Sequence, residues 1–318
     1  MTLPDMEMAR GSSEGFNLAI GEPVIVRNRC SGHFYAYPPA DGMSDLKTQV
    51  ARFVLSQYKI EGFPVITNGA KQAIAAIMYA YKKRGYAFVY HKAPYWPSYP
   101  TLAKTVGLQF TTTESAYGTV SFNTSPNNPD GKISTKPCHV WDAVYASEFY
   151  GWNGEVPDCN AVVGSMSKTF GMPGLRVGWV VCKDRALAAD CAEYVEITTS
   201  GVSTESQWLA QSRIQGWLDY GSYGVDAIRD GFRANGETFN AVIAPYCSEV
   251  YGVPASGLGM FAWFRVSASH EQDFKSRIAK AKIQLVSGAS CGKRGWYRMN
   301  LAVSPSTLRN ALKEFQSE

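Results

Sequence analysis

Between Tyr86 and Cys182 the chain breaks into six apolar runs of strand length: Tyr86–Tyr90, Leu108–Thr113, Thr119–Thr124, His139–Asp142, Ala161–Ser165 and Arg176–Cys182. Gly, Pro and Asn punctuate them, so they cannot join into helices. Helical periods flank this block. Ser44–Tyr58 sets Leu46, Val50, Phe53 and Val54 on one face, with Ser44 expected as the N-cap. Pro64–Thr67 reads as a strand, and Lys71–Arg84 as a helix stopped by Gly85. Beyond it, helices are expected over Asp184–Ile197, Ser203–Tyr220 and Gly224–Ile243. The tail alternates strands near Met260–Val266 and Tyr297–Leu301 with helices near His270–Lys282 and Pro305–Phe315. Ser304 before Pro305 marks the last helix start. The order implies an α/β domain followed by a smaller α+β domain.

Composition removes several function classes. Apolar residues make up 45% and charged residues 18% of the 318, the reverse of a disordered chain. The net charge of +4 has no basic run behind it, and the densest cluster, Lys82-Lys83-Arg84, suits a helix end, so no nucleic-acid partner is indicated. No stretch of about 18 apolar residues offers a membrane span. Met1–Gly15 carries Asp5, Glu7 and Glu14, unlike a secretory or transit peptide. Seven cysteines form no CxxC pair and read as reduced thiols, implying a cytoplasmic protein. The four histidines show no zinc-ligand spacing, so no metal is expected, and no GxSxG elbow occurs.

The densest chemical signal is Gly164-Ser165-Met166-Ser167-Lys168, with Arg176 eight residues after the lysine. An amine among small hydroxyl residues, followed by a guanidinium, could serve a carbonyl and an anion together. Alone, the segment is a Gly/Ser-rich loop with a solvated lysine. Seven further segments accompany it: Ile20-Gly21-Glu22-Pro23, Tyr37-Pro38-Pro39-Ala40-Asp41-Gly42, Asn68-Gly69-Ala70-Lys71, Pro94-Tyr95-Trp96-Pro97-Ser98-Tyr99, Ser125-Pro126-Asn127-Asn128-Pro129-Asp130-Gly131, Asp142-Ala143-Val144-Tyr145, and Arg298-Met299-Asn300. Asn68-Gly69-Ala70-Lys71 opens a helix whose free N–H groups can cradle a phosphate.

In this order the segments resemble the fold-type I pyridoxal-phosphate (PLP) enzymes of the aspartate aminotransferase family, class I and II, in a shortened form. The resemblance runs from Gly21 to Arg298. It implies a large PLP-binding domain with a mostly parallel central sheet covered by helices, over residues 31–230. Residues 1–30 and 231–318 would form the small domain. Lys168 would hold the cofactor through a Schiff base. Gly69, Ala70, Lys71, Ser165, Ser167 and Arg176 would surround its phosphate, Trp96 would stack on its ring, and Asn128 and Tyr145 would bond its phenolic oxygen. Asp142 would pair with the pyridinium nitrogen. Tyr37 would reach the phosphate of a neighbouring subunit, implying a homodimer with shared active sites. Gly21 would line the substrate mouth, and Arg298 would grip the substrate α-carboxylate.

The resemblance implies an aminotransferase acting on an amino acid and a 2-oxo acid. A decarboxylase, β-eliminating lyase or cyclase on the same frame is the alternative, since these keep Lys168, Asp142 and Arg176. Asp130 stands where the family usually has Thr. Only Lys132 to Val140 separate the Asn-Pro turn from the next strand, with no helical period, and the link from Trp96 to Asn128 is short as well. Two peripheral helices are therefore expected to be missing, which leaves open what covers that face of the sheet.

Overall fold

The computed structural model describes residues 37–114, 117–221, 225–252 and 259–317. Gly21, and with it the whole of residues 1–30, lies outside the described residues. Helix α1 (Ser44–Tyr58) buries Leu46, Val50, Phe53 and Val54, the face that its apolar period predicts. Ser44 is its first helical residue rather than its cap. The cap position falls to Met43, whose side chain makes no capping bond.

Seven strands form the main sheet: β1 (Phe63–Thr67), β2 (Phe88–Tyr90), β3 (Gln109–Thr111), β4 (Thr119–Thr124), β5 (Cys138–Asp142), β6 (Cys159–Ser165) and β7 (Gly178–Cys182). Their spatial order is β1-β7-β6-β5-β4-β2-β3. Neighbours from β6 through β3 pair in parallel, while β7 runs antiparallel to both β1 and β6. Alternation along the strands feeds two cores. Val65, Val140, Val163 and Val180 face one layer, with α2 (Gly69–Lys83), α3 (Tyr99–Val106) and α4 (Arg185–Thr199) packed over it. Ile66, Trp141, Val162 and Trp179 face the other, under α1 and α5 (Thr204–Tyr220). Burial on both faces is what a central sheet of this kind requires.

Helix α3 is absent from the sequence reading. It is eight residues long, with Pro97 just before it and Pro100 near its start, and prolines there read as a loop. Pro is tolerated in a first helical turn, where its missing N–H would have no partner. No helix joins β4 to β5. The connecting loop covers the sheet itself. Asn123 Nδ2 donates to the carbonyls of Ser134 and Lys136, and the Ser134 N–H donates to Ser125 Oγ. Where a helix would lay apolar side chains, a polar loop meets polar strand residues.

The second sheet is antiparallel, β10 (Val286–Ser287), β11 (Trp296–Asn300), β9 (Phe261–Val266) and β8 (Cys247–Tyr251) in that order. Helices α6 (Val225–Val242), α7 (Glu271–Lys280) and α8 (Pro305–Gln316) bury Phe239, Phe274, Leu308, Leu312 and Phe315 against it. Ser304 caps α8 by accepting from the Thr307 N–H, with Pro305 in the first turn. Strand β8 went unread, because none of its Cys-Ser-Glu-Val-Tyr residues is fully buried and no apolar alternation marks it.

Candidate active site

Open α/β sheets present their ligand crevices at the carboxyl ends of the strands. Here those ends hold the residues that the motifs select. β5 ends at Asp142, β6 ends at Ser165, β1 runs into the N-terminus of α2, and Asn128 follows β4. Because β7 returns antiparallel beside β6, Lys168 and Arg176 lie on one loop between paired strands.

Four glycine and hydroxyl positions form one corner. Gly69 has φ +76°, and a Cβ there would sit 2.6 Å from Arg176 Nη2. A Cβ on Gly178 would fall 2.5 Å from the Gly69 carbonyl carbon and 2.7 Å from the Ala70 nitrogen. Only glycine lets β7 and the start of α2 approach so closely. Arg176 Nη1 donates to the Pro173 carbonyl at 2.8 Å, and Ser165 Oγ donates to Ser167 Oγ at 2.9 Å. Asn68 makes no side-chain cap on α2. Its Nδ2 points instead to Gln72 and to the Gly201 carbonyl. The first amides of α2 thus stay uncapped beside a guanidinium and two hydroxyls, a donor set that suits a dianion. Lys71 is exposed, with Nζ 5.7 Å from the centroid of the Trp96 ring.

A buried carboxyl, Asp142, ends the neighbouring strand β5. Tyr99 Oη donates to Asp142 Oδ2 at 2.8 Å, and the Val144 N–H donates to Oδ1 at 3.2 Å. Burial pushes the Asp142 pKa up to about 6, against the hydrogen bonds from Tyr99, Val144 and Thr124. A carboxyl so placed suits a basic nitrogen as its partner.

The third group joins the two sheets. Arg298, on β11, donates from Nη1 to Asn128 Oδ1 at 2.6 Å. Asn128 Nδ2 in turn donates to Tyr145 Oη at 3.1 Å. The guanidinium carbon lies 4.3 Å above the Phe261 ring, and Arg298 Nε is buried with no hydrogen-bond partner. A buried guanidinium with an unused donor suits an incoming carboxylate. Burial, more than Arg298's charge, holds the Lys168 amine below the ordinary lysine range. Lys168 Nζ stands 6.0 Å from the Tyr145 ring centroid, and the Lys168 carbonyl accepts from Tyr150 Oη at 3.0 Å.

Nearly all the residues singled out from sequence therefore stand around the strand ends. Tyr37 is described but largely exposed, at 62%, and Gly21 is outside the described residues. Sequence reasoning passed over Tyr99, Tyr150 and Phe261. Tyr99 was within reach, since it ends the Pro94–Tyr99 segment three residues after Trp96.

Comparison with known proteins gives these residues a context. The chain is 28% identical to tryptophan aminotransferase-related protein 2 of Arabidopsis thaliana over 51% of its own length, spanning 42% of that protein, less than half. It is 25% identical to an aspartate aminotransferase of Streptomyces avermitilis, covering 89% of this chain and 81% of the relative. An LL-diaminopimelate aminotransferase of Natranaerobius thermophilus is 25% identical, with 97% and 92% covered. In fold, the chain is similar to the aspartate aminotransferase of Thermus thermophilus with maleate, with a TM-score of 0.74, 20% identity, and 88% and 83% of the two chains covered. The family model for aminotransferase class I and II matches residues 28–315, and the chain belongs to that family of pyridoxal-phosphate enzymes.

Proposed function

We propose that this chain moves an amino group between an amino acid and a 2-oxo acid, with Lys168 as the residue that bonds the cofactor. The observation that carries the reading is the Arg298–Asn128–Tyr145 string beside Lys168 and Asp142. It combines a carboxylate receptor, an amine and a buried carboxyl in one crevice. The residues present fit pyridoxal phosphate. Gly69, Ala70, Ser165, Ser167 and Arg176 would take its phosphate, with Lys71 and Trp96 at the edge. Asn128 and Tyr145 would take the phenolic oxygen, and Asp142 the ring nitrogen. When bound, the cofactor supplies an aldehyde for amines and a ring that draws electrons from the neighbouring carbon.

The chain's own residues do the rest. A depressed pKa leaves more of Lys168 as free amine near neutrality, able to attack a carbonyl and to take a proton from the substrate Cα. Arg298 would hold the substrate carboxylate as a fork, and a carboxylate so held would be kept from leaving. That geometry favours proton removal over loss of the carboxylate. Asp142, paired with the ring nitrogen, keeps that nitrogen protonated.

Residues 31–230 would make the large domain and 231–318, with 1–30, the small one. Helix α6 spans that boundary. A homodimer that brings Tyr37 to the partner's phosphate site completes the reading. No helix among the described residues is long and apolar enough to cross a membrane.

The test is borohydride reduction of PLP-loaded protein followed by peptide mapping. The pyridoxyl label is expected on Lys168, and the bound chromophore should change with an amino acid while a 2-oxo acid is released. A label on another lysine, or a released amine with carbon dioxide, refutes the reading.

A further inference from the structure

Behind Asp142 lies a string of buried side chains that the reaction as described does not use. Tyr99 Oη, which donates to Asp142, also lies 2.9 Å from Thr124 Oγ1. Thr124 Oγ1 lies 3.0 Å from His91 Nε2. His91 Nδ1 lies 2.8 Å from the Lys92 carbonyl. All four side chains are buried: Asp142 on β5, Tyr99 on α3, Thr124 on β4 and His91 just past β2.

The proton positions follow from what each atom can do. A carbonyl only accepts, so His91 Nδ1 carries a proton. The Thr124 backbone N–H aims at His91 Nε2 from 3.3 Å, so Nε2 is an acceptor and the ring is neutral. Burial lowers the His91 pKa to about 4, in keeping with that tautomer. Besides the Thr124 hydroxyl's reach to Asp142 itself, three contacts at hydrogen-bonding distance remain: Asp142 to Tyr99, Tyr99 to Thr124, and Thr124 to His91. With Asp142 ionised, only the Tyr99 and Thr124 hydroxyl protons are available to fill them. One contact would then bring two lone pairs together at hydrogen-bonding distance. A proton on Asp142 fills the set, with Asp142 donating to Tyr99, Tyr99 to Thr124 and Thr124 to His91.

We propose that His91 is a positioning residue that acts through Thr124 and Tyr99 to hold one exchangeable proton on Asp142. The groups facing the string agree with this. Asp142 meets Tyr99, Thr124, the Val144 N–H and, beyond them, Tyr145, and no cation is among the influences on its carboxyl. His91 meets the rings of Tyr95 and Tyr99 and the Lys92 carbonyl. Nothing in that set stabilises an ionised Asp142 except the hydrogen bonds just counted.

The use of this proton rests on the cofactor reading above; the relay itself does not. When a basic ring nitrogen docks, Asp142 gives it the stored proton. The Asp142 O–H bond breaks and an N–H bond forms. The Tyr99 proton then turns from Thr124 to the new carboxylate. No proton is drawn from solvent, and an ion pair replaces two neutral groups in a buried place.

The experiment is a pH titration of the full-length protein without added cofactor, followed by infrared spectroscopy. The protonated carboxyl band is assigned by its loss in Asp142→Asn. His91→Phe keeps a ring but removes the acceptor, so two hydroxyl protons suffice and the Asp142 midpoint should fall by about one pH unit, a tenfold change in proton affinity. His91→Gln, whose amide oxygen can accept, should stay near wild type. Tyr99→Phe removes the donor to Asp142 and should move the midpoint up. A His91→Phe midpoint equal to wild type overturns the proposal. Should His91→Phe fail to fold, histidine-labelled wild type decides. The His91 Nε2 resonance should step at the Asp142 midpoint and lose that step in Asp142→Asn; a flat trace overturns the relay. Pyridoxal phosphate is then added in buffers of different ionisation enthalpy. Between the two midpoints, wild type should bind it without net proton uptake, and His91→Phe should take up a proton. If the midpoints move but pyridoxal phosphate does not bind, the relay stands and the cofactor reading falls. If it binds and the midpoints do not move, the relay falls and the cofactor reading stands.

Discussion

Gly178→Ala is the sharpest test of the phosphate corner. The added methyl would meet the Gly69 carbonyl carbon at 2.5 Å and the Ala70 nitrogen at 2.7 Å, both backbone atoms. Ordinary carbon contacts lie at about 3.5–4.0 Å, so the start of α2 must retreat by roughly 1 Å. A hydrogen bond stretched by that much from about 2.9 Å is lost. Each charge-assisted bond lost from an α2 amide to a phosphate costs about 1.5–3 kcal/mol, or about tenfold to a hundredfold in affinity. Overpacking should also cost about 1–3 kcal/mol of stability. The assay is a pair of binding titrations, with pyridoxal phosphate and with pyridoxal. Gly178→Ala should weaken the first strongly and the second little, because pyridoxal lacks the group that the amides hold. Equal weakening of both ligands would mean general damage rather than a displaced cradle. Unchanged affinity for both would sink the assignment of the corner.

Removing the Asp142 charge should stabilise the protein above neutrality. Its pKa rises from the ordinary 3.8 to about 6 in the fold, so the folded state binds the proton more tightly and stability falls as pH rises between those values. Asp142→Asn should therefore match wild type near pH 4 and exceed it by roughly 3 kcal/mol at pH 7.5 in denaturant melts without cofactor; a gap independent of pH refutes this. Arg298→Ala should cut amino-acid affinity about tenfold to a hundredfold and spare amines without a carboxylate, as read from ligand-induced absorbance changes. It should also let the Lys168 pKa rise, since Arg298's charge helps to depress it; an unchanged pH profile counts against that coupling. Mixing Tyr37→Phe chains with Lys168→Ala chains should restore some activity, because half of the sites in mixed dimers carry neither change. A monomer by light scattering, or no recovery, removes Tyr37 from the site.

What the sequence made legible depended on whether the information was local. Helix α1 was readable to the residue, because one apolar face repeats through it without interruption. Its cap was not, because a serine beside a helix start can stand just inside or just outside. Helix α3 was hidden by prolines that mark a loop elsewhere. In the site, Lys168, Asp142, Asn128 and Arg176 stood out because motif spacing carries them. The string behind Asp142 could not be read that way. His91, Tyr99 and Thr124 come from three separate elements and meet only once β2 and β4 pair. The cover over β4 was equally unreadable, because it is made by backbone carbonyls of a loop without a sequence pattern.

Helix α6 works as a lever between the two sheets. At one end Arg229 lies 3.8 Å from Glu148, and Phe232 packs on Tyr150 with ring centroids 6.0 Å apart. At the other end Phe239 is sealed in the core of the second sheet. Tyr150 is the residue whose hydroxyl holds the Lys168 carbonyl. Any swing of the second sheet is thus transmitted down a stiff rod to a pivot one hydrogen bond from the Lys168 backbone. The second sheet, which carries Arg298, cannot tilt without pressing on the backbone at Lys168.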